Sequence, residues 1–231
     1  MIKFFKDKKN ILAMMSERKD GSMKLLEDDL NVENRSNFFV KNGIDKENVF
    51  MAGMIHGSEA AIVDKNSPNL IEGVDALVSK EKIFLAVTVA DCVPVYFYDE
   101  KNKIIGVAHA GWKGITKGII KNTLDKIIQL GGDFGNIEVV LGPGIQKCHF
   151  EIKEDIVDKF KKYPQFVIFK KDKIFVDLFG IIKRQLLDYK IKNRNISVSK
   201  ECTFEDAKRY FSYRRDKPER VEVMMAMIGL K

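Results

Sequence analysis

The sequence is short of several residue types, and each shortage excludes something. Its 231 residues include three cysteines, three histidines, five prolines and one tryptophan. An odd number of widely spaced cysteines does not describe a disulfide framework, which predicts a reduced, cytoplasmic protein. No apolar run approaches the ~20 residues needed to cross a bilayer. The longest, such as Phe84 to Val89 and Val93 to Tyr98, are strand-sized, so no membrane association is expected. Met1-Ile2-Lys3-Phe4-Phe5-Lys6-Asp7 breaks into charge at once and is not read as a signal peptide. There is no low-complexity tract, repeat or Pro/Gly/Ser-rich linker, and the length fits one domain over residues 1–231.

Apolar residues, by contrast, are plentiful. They make up 45% of the chain, with 16 phenylalanines, enough for a substantial core without covalent staples. The formal net charge of +7 is carried mostly by lysines interleaved with acidic residues. The densest basic cluster is Arg209, Arg214, Arg215, Lys217 and Arg220. No helix-turn-helix, zinc-finger or RNP-like signature accompanies it, which favours a lysine-rich surface or an anion pocket over nucleic-acid binding.

Periodicity predicts more strands than helices. Strands are expected at Phe4-Phe5, Ile11 to Met15, Val49 to Ile55, Ala76 to Val78, Ile83 to Val89, Val93 to Tyr98, Ile104 to His109, Ile137 to Leu141, Ile196 to Val198 and Val221 to Ile228. Phe166 to Phe169 and Ile174 to Val176 read as a hairpin around Lys170 to Lys173. Helices are expected over Asn31 to Asn42, around Ile120, Leu124, Ile127 and Ile128, over Ile152 to Tyr163, and after Asp177 as a cap. Gly111-Trp112-Lys113-Gly114 reads as an interruption. Adjacent strands favour a mixed α+β protein over regular βαβ alternation.

Three residues stand out chemically. His56 and His109 sit at strand ends beside glycine, and Cys92 lies between two apolar strands. Strand ends display reactive groups on a rigid base, and glycine allows close approach. Alone, Cys92 fits a buried structural thiol and His109 a hydrogen-bonded core histidine. Together, one thiolate and two imidazoles suit a catalytic zinc with an open fourth position. Their spacings of 36 and 17 residues match no short metal motif. Arg209-Tyr210-Phe211-Ser212-Tyr213-Arg214-Arg215-Asp216 reads either as a solvated helix end or as an anion clamp. Gly142-Pro143-Gly144 reads as a tight turn, or as a bend that brings backbone N–H groups to an anion.

In chain order, the blocks are His56-Gly57, Ala90-Asp91-Cys92-Val93-Pro94-Val95, His109-Ala110-Gly111-Trp112-Lys113-Gly114, Gly142-Pro143-Gly144-Ile145 with Phe150-Glu151-Ile152, and Phe211-Ser212-Tyr213-Arg214-Arg215-Asp216. This series resembles the YfiH/laccase-domain family, from about residue 10 to the end. Members of that family have been called polyphenol oxidases, purine nucleoside phosphorylases and peptidoglycan editing factors. The resemblance implies an α/β (mixed α+β) fold: a single layered α/β/β/α domain with a central mixed sheet. It also implies zinc on His56, Cys92 and His109. The family's activities are phosphorolysis of adenosine, inosine, guanosine and methylthioadenosine, and adenosine deamination. Two positions depart from the family pattern: Met54 stands where Gln is usual, and Pro218-Glu219-Arg220 where Thr-Gly-Arg is usual. Both bear on substrate preference rather than on the proposed ligands.

The expected function is therefore a zinc-dependent purine nucleoside phosphorylase with adenosine deaminase side activity, its partners a purine nucleoside and phosphate. Cys92, His109 and Asp91 are the candidate catalytic residues, with Glu151 as an alternative proton shuttle to Asp91. Lys113, Arg214 and Arg215 are candidates for phosphate, and Trp112 or Tyr213 for stacking on the purine. The alternative is a metal-free amide hydrolase acting on a peptidoglycan precursor, with Cys92 as nucleophile and His109 as base. The ligand set also suits a single blue copper. A trinuclear oxygen-reducing copper cluster would need many more imidazoles than the one left over, His149, so a multicopper centre is excluded.

Overall fold

The computed structural model describes residues 1–25, 28–217, 219 and 221–231. Pro218 and Arg220, singled out above, lie outside the described residues.

Two six-stranded mixed sheets form the body. The first runs, in spatial order, Ile2–Phe4, Ile11–Met15, Met224–Leu230, Phe84–Val89, Val49–Gly53, Leu70–Glu72. The second runs Ile196–Val198, Ile137–Leu141, Val93–Asp99, Ile104–Ala110, Ala76–Ser79, Ala60–Ile62. Each combines antiparallel neighbours with parallel ones, such as Val49–Gly53 beside Phe84–Val89 and Ala60–Ile62 beside Ala76–Ser79.

Side-chain alternation explains the layering. In Val93–Asp99 every residue is buried, so both faces of the strand must be covered. Val93, Val95 and Phe97 join a core with Ile119, Ile120, Leu124 and Ile182, from the helices Ile119–Gln129 and Leu178–Asp188. Tyr96 and Tyr98 point the other way, into a core shared with Met15, Leu85, Val87 and Met224 of the first sheet. The Tyr96 hydroxyl crosses that inter-sheet core and donates to the Met14 carbonyl at 3.0 Å. On the outer face of the first sheet, Met14, Ala86 and Met225 pack against Phe38 and Phe39 of the helix Asp29–Lys41. The order is helix, sheet, sheet, helix, the mixed layered architecture the resemblance implied.

Several expected elements end elsewhere. The helix over Ile152 to Tyr163 does not form as one unit. Glu151–Ile152 instead pairs with Lys173–Val176 in a third, three-stranded sheet, leaving one short helix, Glu154–Val157, and a 3-10 turn, Asp158–Phe160. Burying Ile152 against its strand partner won over the helical period there. Trp112–Lys117 forms a short helix where an interruption was expected. The last strand begins at Met224 rather than Val221, and the strand from Val49 stops at Gly53. The Asp177 cap is present, accepting from the Gly180 N–H at 2.8 Å. Among the described residues, no helix is long and apolar enough to cross a membrane.

Arg209 is committed to structure rather than to an anion. It bonds Glu17 at 2.6 Å and also reaches Glu201, tying the late segment to the start of the chain. Burial works against the Glu17 charge, but the Met1 ammonium, Arg209 and Lys19 outweigh it and hold the carboxyl at about 2. A depressed carboxyl contributes stability above its unfolded pKa of ~4.3, and that contribution is lost as pH falls toward 2. Glu17→Gln should therefore lower stability at neutral pH and flatten the loss between about pH 4.5 and 2, as read by urea midpoints across that range.

Candidate active site

The loops that cross between the two sheets carry the site. Residues 54–59 lead from Val49–Gly53 to Ala60–Ile62, and residues 90–92 from Phe84–Val89 to Val93–Asp99. The first crossing holds His56 and the second holds Cys92. His109 lies near the end of Ile104–Ala110, paired with Pro94. Ligand atoms of His56, Cys92 and His109 lie within 4.8 Å of one another, and the two imidazole rings meet edge-on with centroids 4.8 Å apart.

Both crossings turn sharply. His56 has φ 57° and Asp91 φ 80°, left-handed conformations that non-glycine residues adopt at a cost of ~1–3 kcal/mol. Glycine clears the space around them. A Cβ on Gly111 would stand 3.0 Å from Cys92 Sγ, and one on Gly114 would stand 2.5 Å from the Gly57 carbonyl oxygen.

Asp75 organises the cluster, and sequence reasoning missed it. It is fully buried; one oxygen lies 2.8 Å from His109 Nδ1, and the other accepts from the Gly57 N–H at 2.7 Å and the Ile55 N–H at 3.3 Å. Burial alone would raise its pKa, but these donors hold the carboxyl below its ordinary value. Burial likewise opposes charge on His109, yet Cys92 and the Asp75 carboxylate push it up to about 10. His56 shifts down, through burial and the neighbouring His109. A signal for Asp75 was available: a carboxylate directly before Ala76-Leu77-Val78, at the mouth of a buried strand, must find partners.

The three side chains line a cavity of about 760 Å³. Lys113, Arg214, Tyr213, Trp112 and Met54 line it, with Lys24 a further cation that the sequence did not flag. Tyr213 is 56% exposed, while Trp112 leans on Phe160 with ring centroids 6.2 Å apart. Arg214 is steered by its surroundings: its Nη1 donates to the Glu151 carbonyl at 2.6 Å and its guanidinium lies over the Phe150 ring.

Three of the candidate residues have partners of their own. The Asp91 carboxylate is engaged on both oxygens, by the Thr203 hydroxyl and by the Arg214 N–H, each at 2.7 Å. Both bonds hold the turn that carries Arg214, and Asp91 itself lines the cavity. Glu151 does not line the cavity, and its carboxylate pairs with Lys173 at 2.9 Å. Arg215 is also absent from the cavity wall; it is spent on the carbonyls of Thr203, Phe204 and Tyr210 and on Asp216.

Comparison with known proteins adds the following. A family model described as "Multi-copper polyphenol oxidoreductase laccase" matches residues 19–231. A purine nucleoside phosphorylase of Staphylococcus saprophyticus subsp. saprophyticus is 39% identical over 165 residues, which is 69% of this chain and 61% of that protein. An adenosine deaminase of an unknown prokaryotic organism is 29% identical over 188 residues, 75% of this chain and 72% of that one. The crystal structure of the hypothetical protein YfiH of Bacillus licheniformis superimposes with a TM-score of 0.90 at 27% identity, covering 96% of this chain and 93% of that chain. The chain spans about three fifths of the length of three curated relatives named purine nucleoside phosphorylases.

The closest constraint on the site is the contact between Gly114 and the His56 loop. Gly114→Ala should cost ~1–3 kcal/mol, the usual penalty of overpacking, and, by displacing Gly57, should weaken whatever zinc the wild-type protein binds at His56. Denaturant midpoints and equilibrium dialysis with zinc check the two effects.

Proposed function

The chain belongs to the family described as multi-copper polyphenol oxidoreductase laccase, and on that premise we propose that it is a zinc-dependent purine nucleoside phosphorylase with adenosine deaminase activity. This is the family that the five sequence blocks resemble. The proposed substrates are adenosine, inosine, guanosine and methylthioadenosine, together with phosphate; the proposed setting is the cytoplasm, with residues 1–231 acting as one domain.

One observation carries the reading: a His-Cys-His cluster at a cavity whose wall holds cations and aromatic rings. The volume lies in the range of small-molecule sites, ~300–1,000 Å³, and suits a nucleoside beside an anion. The donor set fits zinc, because two imidazoles and a thiolate make a three-ligand site with an open position. Asp75 on Nδ1 of His109 leaves Nε2 as the ligand atom, the usual carboxylate–histidine support. Zinc bound there supplies Lewis acidity and lowers the pKa of coordinated water toward neutrality, the chemistry that hydrolytic loss of the adenosine amino group requires.

The chain's own residues serve the rest. Arg214 and Lys113 hold phosphate, the first by its planar fork and the second as a point charge. A phosphate oxygen attacks the anomeric carbon as the bond to the purine nitrogen breaks, giving the free base and a ribose 1-phosphate ester. Trp112 and Tyr213 offer faces for the purine. Asp91 keeps Arg214 in place through its backbone N–H. Copper in place of zinc would still be mononuclear, since two of the three histidines are used here and His149 lies elsewhere.

A second reading has its own observation. Cys92 lies beside His109, whose ring Asp75 orients through Nδ1, an arrangement that suits a metal-free amide hydrolase acting on a peptidoglycan precursor. The readings separate by experiment. Metal-assayed protein is incubated with adenosine in phosphate and in phosphate-free buffer, beside Cys92→Ser. Phosphate-dependent adenine, or inosine in either buffer, falling at least ~10²-fold in the variant, is the expected result. No product from zinc-loaded protein, with rapid alkylation of Cys92, would favour the amide hydrolase.

A further inference from the structure

A second set of soft ligands lies away from the cavity. Cys148 and His149 are neighbours in a turn closed by the His149 and Phe150 N–H groups, both donating to the Gln146 carbonyl at 2.9 Å. Cys202 faces them from the late segment, where it forms a parallel bridge with Gly144. Glu205 follows within the same turn, its N–H donating to the Cys202 carbonyl at 3.2 Å. None of the four lines the cavity.

Their atoms are spaced like ligands. The two sulfurs are 3.9 Å apart, and His149 Nδ1 is 3.1 Å from Cys148 Sγ and 3.7 Å from Cys202 Sγ. Glu205 Oε1 is 3.6 Å from Cys148 Sγ and 3.6 Å from His149 Nδ1. A tetrahedral zinc with bonds of ~2.0–2.3 Å sets its ligands ~3.3–3.8 Å apart. A disulfide would need sulfurs at ~2.05 Å.

The surroundings support ligation. The Gln146 N–H points at Cys202 Sγ from 3.4 Å, as donors around a metal thiolate do. Phe204 stacks on the His149 ring, with centroids 4.3 Å apart and planes at 16°, fixing the direction of Nδ1.

We propose that Cys148, His149, Cys202 and Glu205 form a second zinc site, closed by four protein ligands and structural in role. Binding replaces the two thiol protons, which pass to solvent. The clip fastens the turn after Gly144 to the segment that begins at Cys202. Thr203, next in the chain, donates to Asp91, and the Thr203 and Phe204 carbonyls hold Arg215. The second metal thus braces the loop that presents Arg214 to the cavity.

The test compares metal content per chain in wild type, Cys148→Ser/Cys202→Ser and Glu205→Gln. The double variant should lose one zinc equivalent relative to wild type, whatever the cavity-facing site holds. Glu205→Gln, at an exposed position, keeps both thiols and should weaken one zinc at least tenfold in chelator competition; it carries the test if the double variant does not fold. Cobalt-loaded Cys92→Ser should retain a sulfur-to-cobalt charge-transfer band. Three thiols should titrate in unfolded, chelator-treated protein without reductant. Equal metal content in wild type and the double variant, unchanged affinity in Glu205→Gln, loss of the cobalt band, or a single titratable thiol would each overturn the proposal.

Discussion

The two oxygens of the Asp75 carboxylate hold the candidate active site together. One fixes the His109 ring; the other takes the N–H groups of Ile55 and Gly57, on either side of His56. A single buried side chain thereby positions two of the three residues of the His-Cys-His cluster. Hydrogen bonds to a charged group contribute ~1.5–3 kcal/mol each, enough to offset the left-handed backbone at His56. The arrangement depends on the sheets: Asp75 immediately precedes Ala76–Ser79, which is paired with the strand that carries His109.

A second carboxylate does similar work beside Cys92. Asp91, also in a left-handed conformation, ties the Thr203 hydroxyl to the Arg214 backbone, directly beside Cys92. Both strained residues lie on crossings between the sheets, where the chain must change layer within a few residues. The strain is local and is compensated by hydrogen bonds that would be wasted in a relaxed loop. The two crossings bring His56 and Cys92 to the end of the second-sheet strand that carries His109. That explains how residues 36 and 17 positions apart in sequence converge without a compact motif.

Much of this was legible in the sequence, for identifiable reasons. Fully apolar runs such as Val93 to Tyr98 announced buried strands, and Asp177 announced its helix. His56, Cys92 and His109 stood out because histidine and cysteine are scarce and glycines flank two of them. What escaped was decided by tertiary partners. Ile152 has a helical period around it, but its strand partner Ile174 determines its conformation. Asp75 carries no local signal of which partner it takes, because His109 is 34 residues away in sequence and only the sheet pairing brings the two together. Arg215 was a phosphate candidate and Arg209 lay in a segment open to either a helix end or an anion clamp, yet the guanidinium groups of both are consumed by carbonyls and carboxylates that only the fold brings near. Cys148 and Cys202 are 54 residues apart, and nothing local to either predicts their meeting.

If zinc occupies the site as proposed, Asp75 makes His109 a ligand by fixing its tautomer. Asp75→Asn is nearly isosteric, but its amide would face Nδ1 as a donor and drive the ring proton to Nε2, the atom needed by the metal. The direct measurement is the free-zinc concentration at which Cys92 becomes protected from alkylation, read by mass spectrometry in wild type and Asp75→Asn. The account predicts a shift to roughly ten- to hundredfold higher zinc with the fold retained. Protection at the same zinc concentration in both proteins would contradict it.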